Sequence, residues 1–89
     1  MQLGRVVGSA TSIIKHPTLY GLRLLVVQPI HPPGILDGEP ILAIDTFGAS
    51  SGMRVLLTTD AIYVRDLVKS KNSPIRFAVM GIVDEPLAT

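Results

Sequence analysis

The sequence predicts a mainly β domain, a small five-stranded OB-like barrel with one short α-helix between the fourth and fifth strands. Three observations point there. Val, Ile, Leu and Ala supply nearly all of the 47% apolar content, with only four aromatic residues and no Trp, and branched aliphatics suit the pleated surface of a sheet. The apolar runs are of strand length and are separated by Gly- and Pro-containing clusters. A single stretch of helical period follows the fourth run.

The first strand falls between Gln2 and Ile13, where Val6, Val7 and Ala10 sit among glycines and small polar residues. That composition suits a bent strand that another backbone approaches closely. Lys15-His16-Pro17-Thr18 reads as a loop. Leu22 to Gln28 is the clearest strand, apolar on both faces and stopped by Pro29. Two apolar faces require cover on both sides, which hints at assembly. Pro29 to Gly34 contains three prolines, which fix φ and remove donors, so an exposed loop is expected from there to Pro40. Ile41 to Asp45 is a third strand, Gly48-Ala49-Ser50-Ser51-Gly52 a tight turn, and Met53 to Thr58 a fourth strand. Thr59 or Asp60 can cap a helix carrying Ala61, Val64 and Val68 on one face, ended by Asn72-Ser73-Pro74. Phe77 to Asp84 is the fifth strand.

Residues 1–89 make one domain. A chain this short buries only roughly 60–65% of its unfolded surface, so its apolar surplus suggests a second buried surface, most simply a subunit interface. No cysteine is present, which favours the cytoplasm for so small a domain. The first residues, Met1-Gln2-Leu3-Gly4-Arg5, lack the apolar core of a signal peptide. No run approaches the about 20 apolar residues of a membrane span. The net charge of +1 offers no bulk attraction to nucleic acid or anionic lipid.

Gly48-Ala49-Ser50-Ser51-Gly52 matches the spacing of a hydrolase nucleophile elbow. That elbow requires a following helix and a downstream histidine, whereas a strand follows here and both histidines, His16 and His31, lie upstream. A phosphate cradle would need a lysine and a helix N-terminus. The turn reading, with glycines supplying unusual φ, is the one these residues support. His16 and His31 are expected to be solvated loop residues, with no second ligand at metal spacing. Asp37, Glu39, Asp45, Asp66 and Asp84 are scattered, which makes solvated or salt-bridged carboxylates the expectation. Arg65, Lys69, Lys71 and Arg76 form a basic cluster, and a barrel with a basic face raises single-stranded nucleic-acid binding as an alternative function. Such binding uses exposed aromatic platforms, and Phe47 and Phe77 occupy positions expected in the core.

Five blocks in register resemble the bacterial microcompartment vertex protein family, the pentameric shell proteins of carboxysomes and of ethanolamine- and propanediol-type organelles. They are Gly4-Arg5-Val6-Val7-Gly8, Leu24 to Pro29, Asp45-Thr46-Phe47-Gly48-Ala49, Gly52 with Val55-Leu56, and Val79 to Asp84. The resemblance implies a homopentamer that caps the vertices of a polyhedral shell in the bacterial cytoplasm. It implies partnership with itself and with hexameric shell proteins, and no catalysis, cofactor, metal, nucleic acid or membrane. It implies that Gly48, Ala49, Ser50, Ser51 and Gly52 lie near the five-fold axis, with Ser50 and Ser51 beside a narrow uncharged pore. This chain departs from the pattern at Ser50, where the family commonly has glycine, and at Met53, where it commonly has glutamate. Arg76 stands where an aspartate is usual. These changes make Arg65 and Arg76, paired with Asp60 or Asp66 of a neighbour, the candidates for the subunit interface.

Overall fold

The computed structural model describes residues 1–9, 23–31, 34–68 and 75–83. Its elements are β1 (Gln2–Ser9), β2 (Leu24–His31), β3 (Ile35–Leu36), β4 (Ile41–Ile44), β5 (Arg54–Thr58), α1 (Ala61–Val68) and β6 (Phe77–Val83). The hydrogen-bonded order is β1-β5-β6-β4-β2-β3, and β1 also pairs with β2. That last pairing closes five strands into a barrel and leaves the two-residue β3 as an appendage of β2. Closure satisfies the main-chain groups that an open sheet would leave along its edges.

The expected barrel and helix are therefore present; β4 and β5 are each one residue shorter than expected, and β2 extends past the expected end at Gln28, while Leu22 and Asp84 lie outside the described residues. The expected loop at Lys15–Thr18, the helix end at Asn72–Pro74 and residues 10–13 of the first strand lie outside the described residues. The bend expected in β1 is visible. Val6 pairs with Val27 and Gly8 with Val26, which leaves Val7 as an extra residue on β1. Such a bulge sharpens the local twist and helps a strand turn around a small barrel.

Pro29 does not stop β2, as expected from its missing donor; the strand continues to His31. Asp37 N donates to Pro29 O at 2.9 Å. The polar edge of Pro29 thus faces the following hairpin and not β1, so the absent N–H costs no rung of the β1–β2 ladder. Beyond it, Ile30 and His31 pair with Leu36 and Ile35 to form β3. Gly34 N closes the turn onto His31 O at 2.7 Å, and Gln28 Nε2 donates to Gly38 O at 2.9 Å. Ile30–His31 and Ile35–Leu36 thus form a short hairpin where a loop was expected.

Two apolar clusters hold the fold. Val6, Leu25, Val27, Ala43, Ala49, Val55, Leu57 and Val79 fill the barrel. Leu24, Ile44, Val64, Val68, Ile75 and Ala78 form a second cluster between the sheet and α1, with Val26 against it. Both faces of β2 are therefore covered as the sequence requires. The cover on the second face is α1 of the same chain, so this strand is no longer an argument for assembly. Phe47 is also not a core residue, being 47% exposed. It sits in the bend after β4 and not on an inward strand position.

Gly4 faces inward between β2 and β5. A methyl group there would lie 2.4 Å from Val27 Cγ1 and 3.1 Å from Leu57 Cδ1, whereas one at Gly8 would meet nothing within 4 Å. Val27 is stiff at χ1 and fully buried, so it cannot move aside cheaply. Gly4→Ala is expected to lower stability by about 1–3 kcal/mol, and Gly8→Ala to leave it within about 0.5 kcal/mol. Urea unfolding monitored by circular dichroism checks the difference; equal midpoints would contradict this packing.

Candidate functional site

The glycine turn joins β4 to β5 and is built around one carboxylate. Asp45 follows the last residue of β4, and its side chain is fully buried. Its Oδ1 accepts from Phe47 N at 2.8 Å, and its Oδ2 from Gly48 N at 3.1 Å and Ala49 N at 3.0 Å. Arg23 Nη1 donates to the same Oδ2 at 2.5 Å. Asp45 N in turn donates to Arg23 O at 2.9 Å. Three backbone donors and one cation compensate the desolvation of the carboxylate.

This arrangement answers the phosphate question. The consecutive N–H groups that an anion would need are taken by the chain's own anion. Gly48 and Gly52 have φ of 83° and 92°, the left-handed region that residues with a Cβ adopt at a cost. Between them Ala49 is buried in the barrel core, while Ser50 and Ser51 are exposed. Met53 N donates to Ser50 O at 3.1 Å, and Gly52 N and Val6 N exchange bonds with Val6 O and Met53 O at 2.8 and 2.9 Å. Arg5 Nη1 adds a bond to Gly52 O at 2.7 Å. The turn is therefore clamped from β4 by Asp45, from inside by Ala49 and from β1 by Val6 and Arg5.

Ser50 has no histidine beside it among the described residues. His31 lies at the far end of β2, where its Nε2 is 3.0 Å from Asp37 Oδ2. It is exposed, as expected, but it ends a strand instead of lying in a loop, while His16 is outside the described residues. No group of three or more His, Asp or Glu able to hold a metal occurs among the described residues.

The charged candidates lie on α1, at its start and just before β6. Asp60 is the helix N-cap: its Oδ1 accepts from Ile62 N at 2.9 Å and Tyr63 N at 3.2 Å, the bonds that orphan helix donors need. Arg65 and Asp66 are exposed on α1, and Arg76 is exposed just before β6. Sequence reasoning missed the role of Asp45 and of its partner Arg23. The available signal was an Asp followed within three residues by Gly, a common side-chain-to-backbone turn.

The family model described as "Ethanolamine utilisation protein EutN/carboxysome" matches residues 1–84. The chain belongs to the EutN/CcmL family. Among relatives of this EutN/CcmL chain, the "Bacterial microcompartment shell vertex protein EutN" of Escherichia coli (strain K12) is 40% identical over 85 residues, covering 96% of this chain and 88% of that one. The solved "GrpN pentameric microcompartment shell protein from Rhodospirillum rubrum" superposes with a TM-score of 0.75 at 35% identity, covering 96% of this chain and 95% of that one. The Gloeobacter violaceus CcmL structure superposes with a TM-score of 0.77 at 32% identity, covering 94% and 86%. The single-stranded nucleic-acid alternative finds no support among these EutN/CcmL relatives.

Removing the anchor should cost more than removing its cation. Asp45→Ala strands three N–H groups and is expected to lower stability by about 3 kcal/mol. Arg23 is 42% exposed at its side chain, so Arg23→Ala should cost about 1 kcal/mol after solvent screening. Thermal unfolding of both variants tests this order; a larger loss for Arg23→Ala would contradict it.

Proposed function

We propose that this protein is a structural vertex component of a bacterial microcompartment shell: five copies form a ring that caps a vertex in the cytoplasm of the bacterium and closes the polyhedron. The observation that carries this is the likeness, over nearly all of both chains, to a solved pentameric shell protein. A sheet of six-fold tiles is flat, and five-fold units supply the curvature that closes it. The interface is heterologous and closes after five rotations.

The surface agrees with this reading. Val7, Phe47, Met53, Leu56 and Ile62 are each at least 36% exposed, and Leu3 lies directly opposite Leu56 on neighbouring strands. So many exposed apolar side chains on a domain this small suit a covered face. No helix among the described residues is long and apolar enough to cross a membrane.

In this proposal the rigid glycine turn lies near the five-fold axis, where Gly48, Ser50, Ser51 and Gly52 present small groups to four copies of themselves. Arg65 and Asp66 face a neighbouring subunit, with Arg76 beside them. Asp60 contributes less, because its carboxylate already caps α1. Hexameric shell tiles are the partners of the ring's outer rim.

Native mass spectrometry at low micromolar concentration is expected to give a mass five times that of the chain, and a monomer would overturn the proposal. Arg65→Ala and Arg76→Ala are expected to shift the ring toward smaller species in high salt. Rings unchanged by both substitutions would remove these residues from the interface while leaving the ring itself standing.

A further inference from the structure

The main-chain N–H groups of the glycine turn are not all served alike. Those of Phe47, Gly48 and Ala49 go to the carboxylate oxygens of Asp45. The next one, on Ser50, goes to the thioether sulfur of Met53 at 3.3 Å. A thioether is a weak acceptor, so this bond holds the turn least firmly of the four. The backbone that carries the sulfur is already committed. Met53 N donates to Ser50 O at 3.1 Å, and Met53 O accepts from Val6 N at 2.9 Å. The side chain therefore folds back over the turn from a fixed root, with its sulfur beside one main-chain N–H.

Met53 is also open to solvent. It is 41% exposed, whereas Met80 on β6 is half-buried. A thioether sulfur has two lone pairs, and the Ser50 N–H engages one of them. The other can meet an electrophilic oxygen. Hydrogen peroxide is little larger than water, so it reaches a side chain that water already contacts.

We infer that Met53 is a reversible oxidation site for a hydroperoxide, and that its sulfoxide holds the turn more tightly than the thioether does. A sulfur lone pair attacks one peroxide oxygen; the S–O bond forms as the O–O bond breaks. The departing hydroxide takes the proton of the transferred oxygen and leaves as water. Sulfur gives up two electrons, and the peroxide is reduced by two. The new oxygen is a stronger acceptor than the sulfur that bears it, and the flexible methionine stem lets it swing to the Ser50 N–H. In a core the S–O dipole would disrupt packing. Here it meets water on one side and a donor on the other, and every N–H from Phe47 to Ser50 then ends on oxygen. A sulfoxide reductase, drawing two electrons from thiols, restores the thioether with loss of water. None of this rests on the vertex reading.

The test is amide–water exchange of the full chain, followed by NMR before dilute hydrogen peroxide, after it, and after re-reduction by methionine sulfoxide reductase with a thiol. Peptide mass mapping of the same samples gives the sulfoxide fraction at each methionine. Met53 is expected to oxidise faster than Met80. Exchange at Ser50 is expected to slow about five-fold in the sulfoxide and to recover on reduction. Met53→Leu removes the sulfur while nearly keeping the side-chain volume, and it leaves Met1 and Met80 to oxidise; there, peroxide is expected to leave Ser50 exchange unchanged. A Met53 that resists peroxide, or Ser50 exchange that is equal or faster after Met53 oxidises, would overturn the inference. So would the same slowing in Met53→Leu.

Discussion

The buried carboxylate of Asp45 is the constraint on which the arrangement of this molecule depends. It receives three consecutive main-chain N–H groups and the Arg23 guanidinium, and a fully desolvated carboxylate tolerates few other arrangements. Those bonds set the course of the chain after β4. They turn it over the end of the barrel, insert Ala49 into the core and deliver Gly52 to β1. A turn made only of glycines and serines would be mobile. This one is tied down because its polar groups are used from within.

The same carboxylate connects the closed barrel to its first and second strands. Arg23 immediately precedes β2, and β2 pairs with β1, which in turn bonds the far side of the glycine turn. The turn, the start of β2 and the end of β1 are thus tied together at one end of the molecule. Gly4 performs a complementary task along β1, since only a residue without a Cβ lets β1 cross between Val27 and Leu57. Closure of the barrel and stiffness of the turn arise from one connected set of contacts.

Much of this was legible in the residues. The strand-length aliphatic runs marked the five barrel strands, and Asp60 before Ala61, Val64 and Val68 marked the capped helix, because capping and periodicity are local effects. The five blocks identified the family. Three features escaped because they are settled by contacts distant in sequence. Pro29 looked like a stop, yet its missing donor faces a hairpin that requires none from it. The second apolar face of β2 looked like an interface, yet α1 folds back to cover it. Asp45 looked like one of several scattered acids, since its burial depends on the partner supplied by Arg23, 22 positions earlier.

The resemblance implies glycine at position 50 and glutamate at position 53, where this chain has Ser50 and Met53. The main-chain N–H of residue 50, which serine and glycine supply alike, donates to Met53 Sδ at 3.3 Å. The thioether occupies the acceptor role that a carboxylate at the same position could fill, with a weaker bond and no charge. The strain of the turn is carried by Gly48 and Gly52, which hold the positive φ values, while the side chain at position 53 decides whether the turn carries a charge. Shape and charge at this site are therefore separable properties.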